Sequence, residues 1–94
     1  MNNFITRVEL HDAIESDYNN LHEAMRLKGF LRTITSNVGI TSYLPTAEYS
    51  FSGNISQADV LQLAKHAAQL THRTASIVVI EYIGCSWDGL VLVR

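Results

Sequence analysis

The 94 residues allow one domain and no second core, so the chain reads as a single unit over 1–94. With 47% hydrophobic and 17% charged residues, the composition excludes a disordered chain. A net charge of −2 excludes a non-specific DNA coater, which needs a strong basic excess to displace phosphate counterions. The lone Cys85 excludes an intramolecular disulfide and a cysteine zinc site.

The first element is the clearest. From Phe4 to His11 the chain alternates, with Phe4, Thr6, Val8 and Leu10 on one side and Ile5, Arg7, Glu9 and His11 on the other. Period 2 over eight residues predicts a half-buried strand, because successive side chains leave a strand on opposite faces. Ser16 then offers an N-cap, and Tyr18, Leu21, His22 and Met25 recur at helical spacing up to Gly29, which predicts a helix over 17–28.

Residues 30–36 read as a second strand, Asn37-Val38-Gly39 as a turn, and 41–51 as a third strand. Pro45 has no N–H to donate, so it belongs at a bulge or an unpaired position. In that third strand Ala47, Tyr49 and Phe51 face the core, and Thr46, Glu48 and Ser50 face outward. Ser56 followed by Asp59 resembles a capping box, with Ile55 and Val60 at staple positions. The helix that follows runs to about Thr71 and should bury Val60, Leu63, Ala64, Ala67 and Leu70. Residues 76–82 read as a fourth strand and 87–93 as a short extra C-terminal strand.

This order predicts an α+β fold of the ferredoxin-like βαββαβ plan: one antiparallel sheet with two helices on one face. Arg7, Glu9 and His11 then lie together on the uncovered face, beside Glu48 and Ser50. Alternate residues on a strand stand about 6.6–7 Å apart, wide enough to hold a phosphate group between side chains. Histidine suits proton transfer near neutral pH, and arginine's planar fork matches phosphate oxygens. This row is the candidate catalytic set for metal-free RNA cleavage. The competing reading is a solvated polar face, or a dimer interface in which Ile5 takes part.

Arg26, Lys28 and Arg32 form a cationic cluster with no acid between Glu23 and Glu48. It is a candidate RNA-backbone contact, although cations near a helix C-terminus also complement its dipole. Lys65, His66, His72 and Arg73 carry the same ambiguity at the end of the second helix. His22 reads as a partly buried structural residue. No two histidines have metal-ligand spacing, and there is no phosphate-binding glycine loop, so neither metal nor cofactor is expected. There is no signal-peptide pattern, and apolar runs such as Ile77 to Ile80, no longer than four residues, are too short to span a membrane, so the expectation is a cytoplasmic protein. A homodimer is compatible with so small a core.

Several segments together resemble one family. They are Arg7-Val8-Glu9-Leu10-His11, Asp17-Tyr18, Leu21-His22-Glu23-Ala24-Met25, Gly29-Phe30, Arg32-Thr33-Ile34-Thr35-Ser36 and Tyr43-Leu44-Pro45-Thr46-Ala47-Glu48-Tyr49. The likeness is to the GhoS family, endoribonuclease antitoxins of type V toxin–antitoxin systems and their phage- and prophage-borne relatives. It implies a ferredoxin-like fold related in shape to CRISPR-associated nucleases, and cleavage of the mRNA of a small membrane toxin. The bottom-up assignment alongside it makes His11 the general acid/base, Arg7 the phosphate clamp, Glu9 an orienter or second proton carrier, and Arg32 a backbone contact. The rival is a non-catalytic module that binds a host protein, which the acidic net charge favours. An ACT-like dimer sensing a metabolite is a third reading, for which no pocket signal stands out.

Overall fold

The computed structural model describes residues 1–94. The alternating segment forms β1 (Asn2–Leu10), and its pattern is realised as read: Phe4, Thr6, Val8 and Leu10 are buried, whereas Arg7, Glu9 and His11 are exposed. Each fully buried large side chain contributes about 1.5–3 kcal/mol, so a register slip of one residue, which would expose Phe4, Val8 and Leu10, is strongly disfavoured. Thr6 is the exception on this face, since its buried hydroxyl has no hydrogen-bond partner.

After a turn in which Asp12 adopts a left-handed conformation, α1 spans Glu15–Leu27. The N-cap is Ile14 rather than Ser16. Asp17 decides this start: its Oδ2 accepts the Ile14 N–H at 3.0 Å and also the Arg73 Nε–H at 3.0 Å. The helix buries Leu21, Ala24 and Met25. It ends in a Schellman arrangement, with Phe30 N–H on the Met25 carbonyl and Gly29 N–H on the Arg26 carbonyl. Gly29 has φ +97°, a backbone that other residues adopt only with strain, and any Cβ there would also press on Phe51.

The second strand is shorter than 30–36. Only β2 (Thr33–Thr35) is regular, paired with β3 (Thr41–Tyr43), while Leu31 makes a separate bridge to Ser50. The expected strand over 41–51 divides into β3 and β4 (Glu48–Gly53). Pro45 sits in the gap, as its missing donor requires. Its carbonyl accepts the Glu48 N–H at 3.1 Å, and Ala47 takes a positive φ of 66°, so the chain kinks instead of running straight. Beyond the kink Tyr49 points into the core, as the alternation predicts.

The second helix, α2, spans Gln57–Gln69, with Ser56 Oγ accepting the Asp59 N–H as the capping motif predicts. Its buried stripe is Val60, Ala64, Ala67, Ala68 and, just beyond, Thr71. Leu70 is not part of that stripe. It lies past the last helical residue and is 63% exposed, while the Thr71 hydroxyl turns back to the Ala68 carbonyl at 2.6 Å.

Strand β5 (Ala75–Tyr82) completes a three-stranded antiparallel sheet of order β4–β1–β5. Both helices pack against the Phe4/Val8 face and share one core with Tyr49 and Phe30. The fold is therefore α+β, with a mostly antiparallel sheet covered on one side and a small two-stranded sheet beside it. The expected C-terminal strand is absent. Over 87–93 the chain makes one bridge, Leu92 to Ser42, flanked by Tyr43 N–H to Val91 and Val93 N–H to Thr41. Gly89, with φ +74°, helps to break the regular extended path there.

Candidate functional site

The open face of β1 holds the row that the alternation points to. Arg7 lies opposite Glu48 of β4 and Val78 of β5, and Glu9 lies opposite Ser76. His11 follows the last residue of the strand, where its N–H bonds the Thr74 carbonyl at 2.9 Å. Its ring is held by two hydroxyls, Nδ1 to Thr74 Oγ1 at 2.9 Å and Nε2 to Ser76 Oγ at 2.8 Å. A neutral imidazole has one donor and one acceptor, so both are satisfied here. To exchange a proton with a ligand, the ring must release one hydroxyl. Val78 and Ile80 are about half exposed on the same face, so the row borders an apolar strip.

The cationic cluster takes a different place. The Schellman turn drops the chain from the end of α1 into Phe30, whose ring packs edge-on to Tyr49. The Arg32 carbonyl accepts the Leu44 N–H at 2.8 Å, which fixes the approach to β2. Between that segment and α1 lies a cleft of about 440 Å³. Asn19, His22, Glu23 and Arg26 form its helix side, and Phe30, Leu31, Arg32 and Thr33 form the other. Lys28 does not line it; it is the C-cap of α1. The structure thus brings Arg26 and Arg32 together and leaves Lys28 outside. Because α1 packs on the covered side of the sheet, this cleft and the Arg7–Glu9–His11 row are not parts of one site.

His22 was read from sequence as partly buried and structural, and it is indeed half-buried. What that reading missed is its partner: Nδ1 is 2.7 Å from the hydroxyl of Tyr49, a fully buried residue 27 positions away. Burial holds the His22 pKa below its ordinary value, and the nearby Arg32 charge adds to the effect. Burial pushes the Tyr49 phenol well above its usual range, so it stays protonated at any physiological pH. Arg26 is engaged by Glu23 in a two-pronged pair, Nη2 to Oε1 at 2.6 Å and Nε to Oε2 at 3.0 Å. Arg32 has no ion-pair partner within 4.0 Å; the ion pairs are Arg26–Glu23 and Arg73–Asp17. A concave site with converging polar groups and a perturbed histidine is the usual form of a ligand site. Chemically, this one can offer donors and positive charge to an anion. The sequence pointed to Arg26 and Arg32, but no local spacing could have indicated the bond of His22 to Tyr49, 27 positions away.

Over residues 1–83 the chain matches the family described as endoribonuclease GhoS. No curated protein matches the chain.

Proposed function

Because the chain belongs to the GhoS family, we propose that it is an endoribonuclease-type antitoxin, which cleaves or binds the mRNA of a small membrane toxin in the cytoplasm. The family match over residues 1–83 carries this reading. On it, the fold is ferredoxin-like: the Leu31–Ser50 bridge extends the sheet beyond β4, and the pair β3 and β4 stands for one kinked strand.

The proposed reaction is transesterification. The 2′-oxygen of the RNA attacks the adjacent phosphorus, and its proton passes to a base. The 5′-oxygen leaves and takes up a proton, giving a 2′,3′-cyclic phosphate and a free 5′-hydroxyl. His11 is the proposed acid/base, Arg7 the clamp on the phosphate oxygens, and Glu9 the orienter or second proton carrier. Arg26, Lys28 and Arg32 are proposed backbone contacts. The chemistry needs no cofactor. The test is incubation of labelled transcripts with the purified protein, with EDTA and with Mg²⁺, beside His11→Ala. Discrete fragments that vanish in the variant are the expected result; intact RNA in every lane, from folded protein, would remove the nuclease reading for those substrates.

One observation favours a second reading. Val78 and Ile80 are exposed on β5, an edge strand with a free outer side. A phage-borne protein that docks on a host protein, or on a second copy of itself, would use such a surface. Stoichiometric recovery of one host protein, lost in Val78→Lys/Ile80→Lys and unaffected by RNase, would select it. A shift from monomer to dimer mass, abolished by the same changes, would instead identify a homodimer.

A further inference from the structure

We propose that the cleft between α1 and the start of β2 is a phosphate-binding site for the backbone of an RNA strand, held by Arg32 and His22 and organised by Tyr49. The RNA part of this rests on the function proposed above; the anion site does not. Arg32 is the free guanidinium of the cleft, since Arg26 is turned to Glu23. Two guanidiniums and one carboxylate leave one net positive charge facing the cavity, and protonation of His22 makes it two. The pair Glu23–Arg26 stands at the helix side and is mostly exposed, so Arg26 can turn to an incoming phosphate at little cost.

Tyr49 determines which nitrogen of His22 a ligand meets. The phenol bonds Nδ1, so Nε2 is the ring atom left without a protein partner. The Tyr49 hydroxyl has no partner but this ring, and it stays protonated. When it donates to Nδ1, the proton of a neutral imidazole resides on Nε2, and His22 presents an N–H donor to the cleft. Once protonated, the ring donates from both nitrogens, to the Tyr49 oxygen and to the anion. The charged and titratable groups around it are Arg32 before β2, Glu23 and Arg26 on α1, and Tyr49 beneath it; burial and then the Arg32 charge hold its pKa down. A bound phosphate adds negative charge beside the ring and favours the protonated form. Affinity therefore rises as pH falls through the titration of His22.

The test is a titration of the whole protein with inorganic phosphate, following the histidine rings by NMR, together with binding of a single-stranded RNA oligonucleotide. The expected result is that His22 shifts and its titration midpoint rises with phosphate, while the exposed His66 on α2 does not move. Arg32→Gln should remove the response and weaken the oligonucleotide about tenfold, the usual size for one charge-assisted contact. Lys65→Gln, an equal loss of charge on α2, should not. His22→Gln should lose most of the gain in oligonucleotide affinity that the parent shows as pH falls. Phosphate titration that leaves His22 unmoved, or an Arg32→Gln protein that binds as well as the parent, would overturn the site. If phosphate moves His22 but no RNA binds, the anion site stands and the RNA reading falls. If RNA is bound and cut while His22 is silent and Arg32→Gln is without effect, the reverse holds.

Discussion

His11 and His22 make a controlled pair within one small molecule. Each ring bonds a hydroxyl through Nδ1, at 2.9 and 2.7 Å respectively. His11 stands on an open sheet face, with both nitrogens shared with side chains that water also reaches. His22 is sunk between a helix and the sheet, its partner belongs to the core, and one nitrogen is left for a ligand. Burial is the main reason that the His22 pKa lies below its ordinary value. The contrast teaches where the fold withholds water from an imidazole, and desolvation of that kind disfavours the charged ring.

The largest effect expected from this contrast is on catalysis. If the open row performs the proton transfers, His11→Ala should slow RNA cleavage by about 100-fold or more, while the melting temperature stays within about a few degrees of the parent. Cleavage that survives would take His11 out of the chemistry and turn attention to the cleft. Next in size is the roughly tenfold loss of RNA affinity in Arg32→Gln. Arg26→Gln should cost somewhat less, because that guanidinium must first leave Glu23, an exposed pair that opens at little cost; a loss larger than that of Arg32→Gln would make Arg26 the main contact.

Tyr49→Phe tests the buried partner. It keeps the aromatic packing and leaves His22 Nδ1 half-buried without its bond, for a loss of about 1 kcal/mol in unfolding free energy. A smaller change would mean that water replaces the phenol. The pH dependence of stability should be a gentler effect. His22 has a lowered pKa in the folded chain, so the unfolded chain takes up its proton first, and stability falls as pH drops below about 6.5. The lowered Asp17 and Glu23 pKa values act further down: they add stability above the ordinary values of 3.8 and 4.5, which is lost as pH falls through their folded values. Urea unfolding between pH 7 and 5 therefore isolates histidine, and His22→Gln should flatten the curve. An unchanged slope would assign it elsewhere.

Much of the architecture was legible from local pattern. The alternation of β1 specified which side chains are buried, because a strand leaves no choice of face once Phe4, Val8 and Leu10 must avoid water. Ser56 and Asp59 announced the start of α2, and Pro45 announced a bulge or unpaired position, although not that the strand divides there. Less legible were features decided by contacts from afar. Ser16 is an acceptable cap by type, but Asp17 bonds the Ile14 N–H while also receiving Arg73 from 56 residues away, and the helix starts earlier. Leu70 has the right spacing for burial, yet the helix has already ended and Thr71 occupies the interior.

By itself, then, the sequence determined the α+β class, the two faces of β1, the two helices and the likeness to an RNA-cleaving family. Each follows from short-range periodicity, cap chemistry or a run of matching residues. Tertiary structure alone decided that Arg26 and Arg32 share a cleft without Lys28, that His22 rests on Tyr49, and that this cleft lies away from the Arg7–Glu9–His11 row. It also decided that the C-terminal segment makes one bridge where a strand was expected. All four depend on which surfaces meet once the apolar faces are buried, and pairings such as His22 with Tyr49 or Ser42 with Leu92 join residues tens of positions apart.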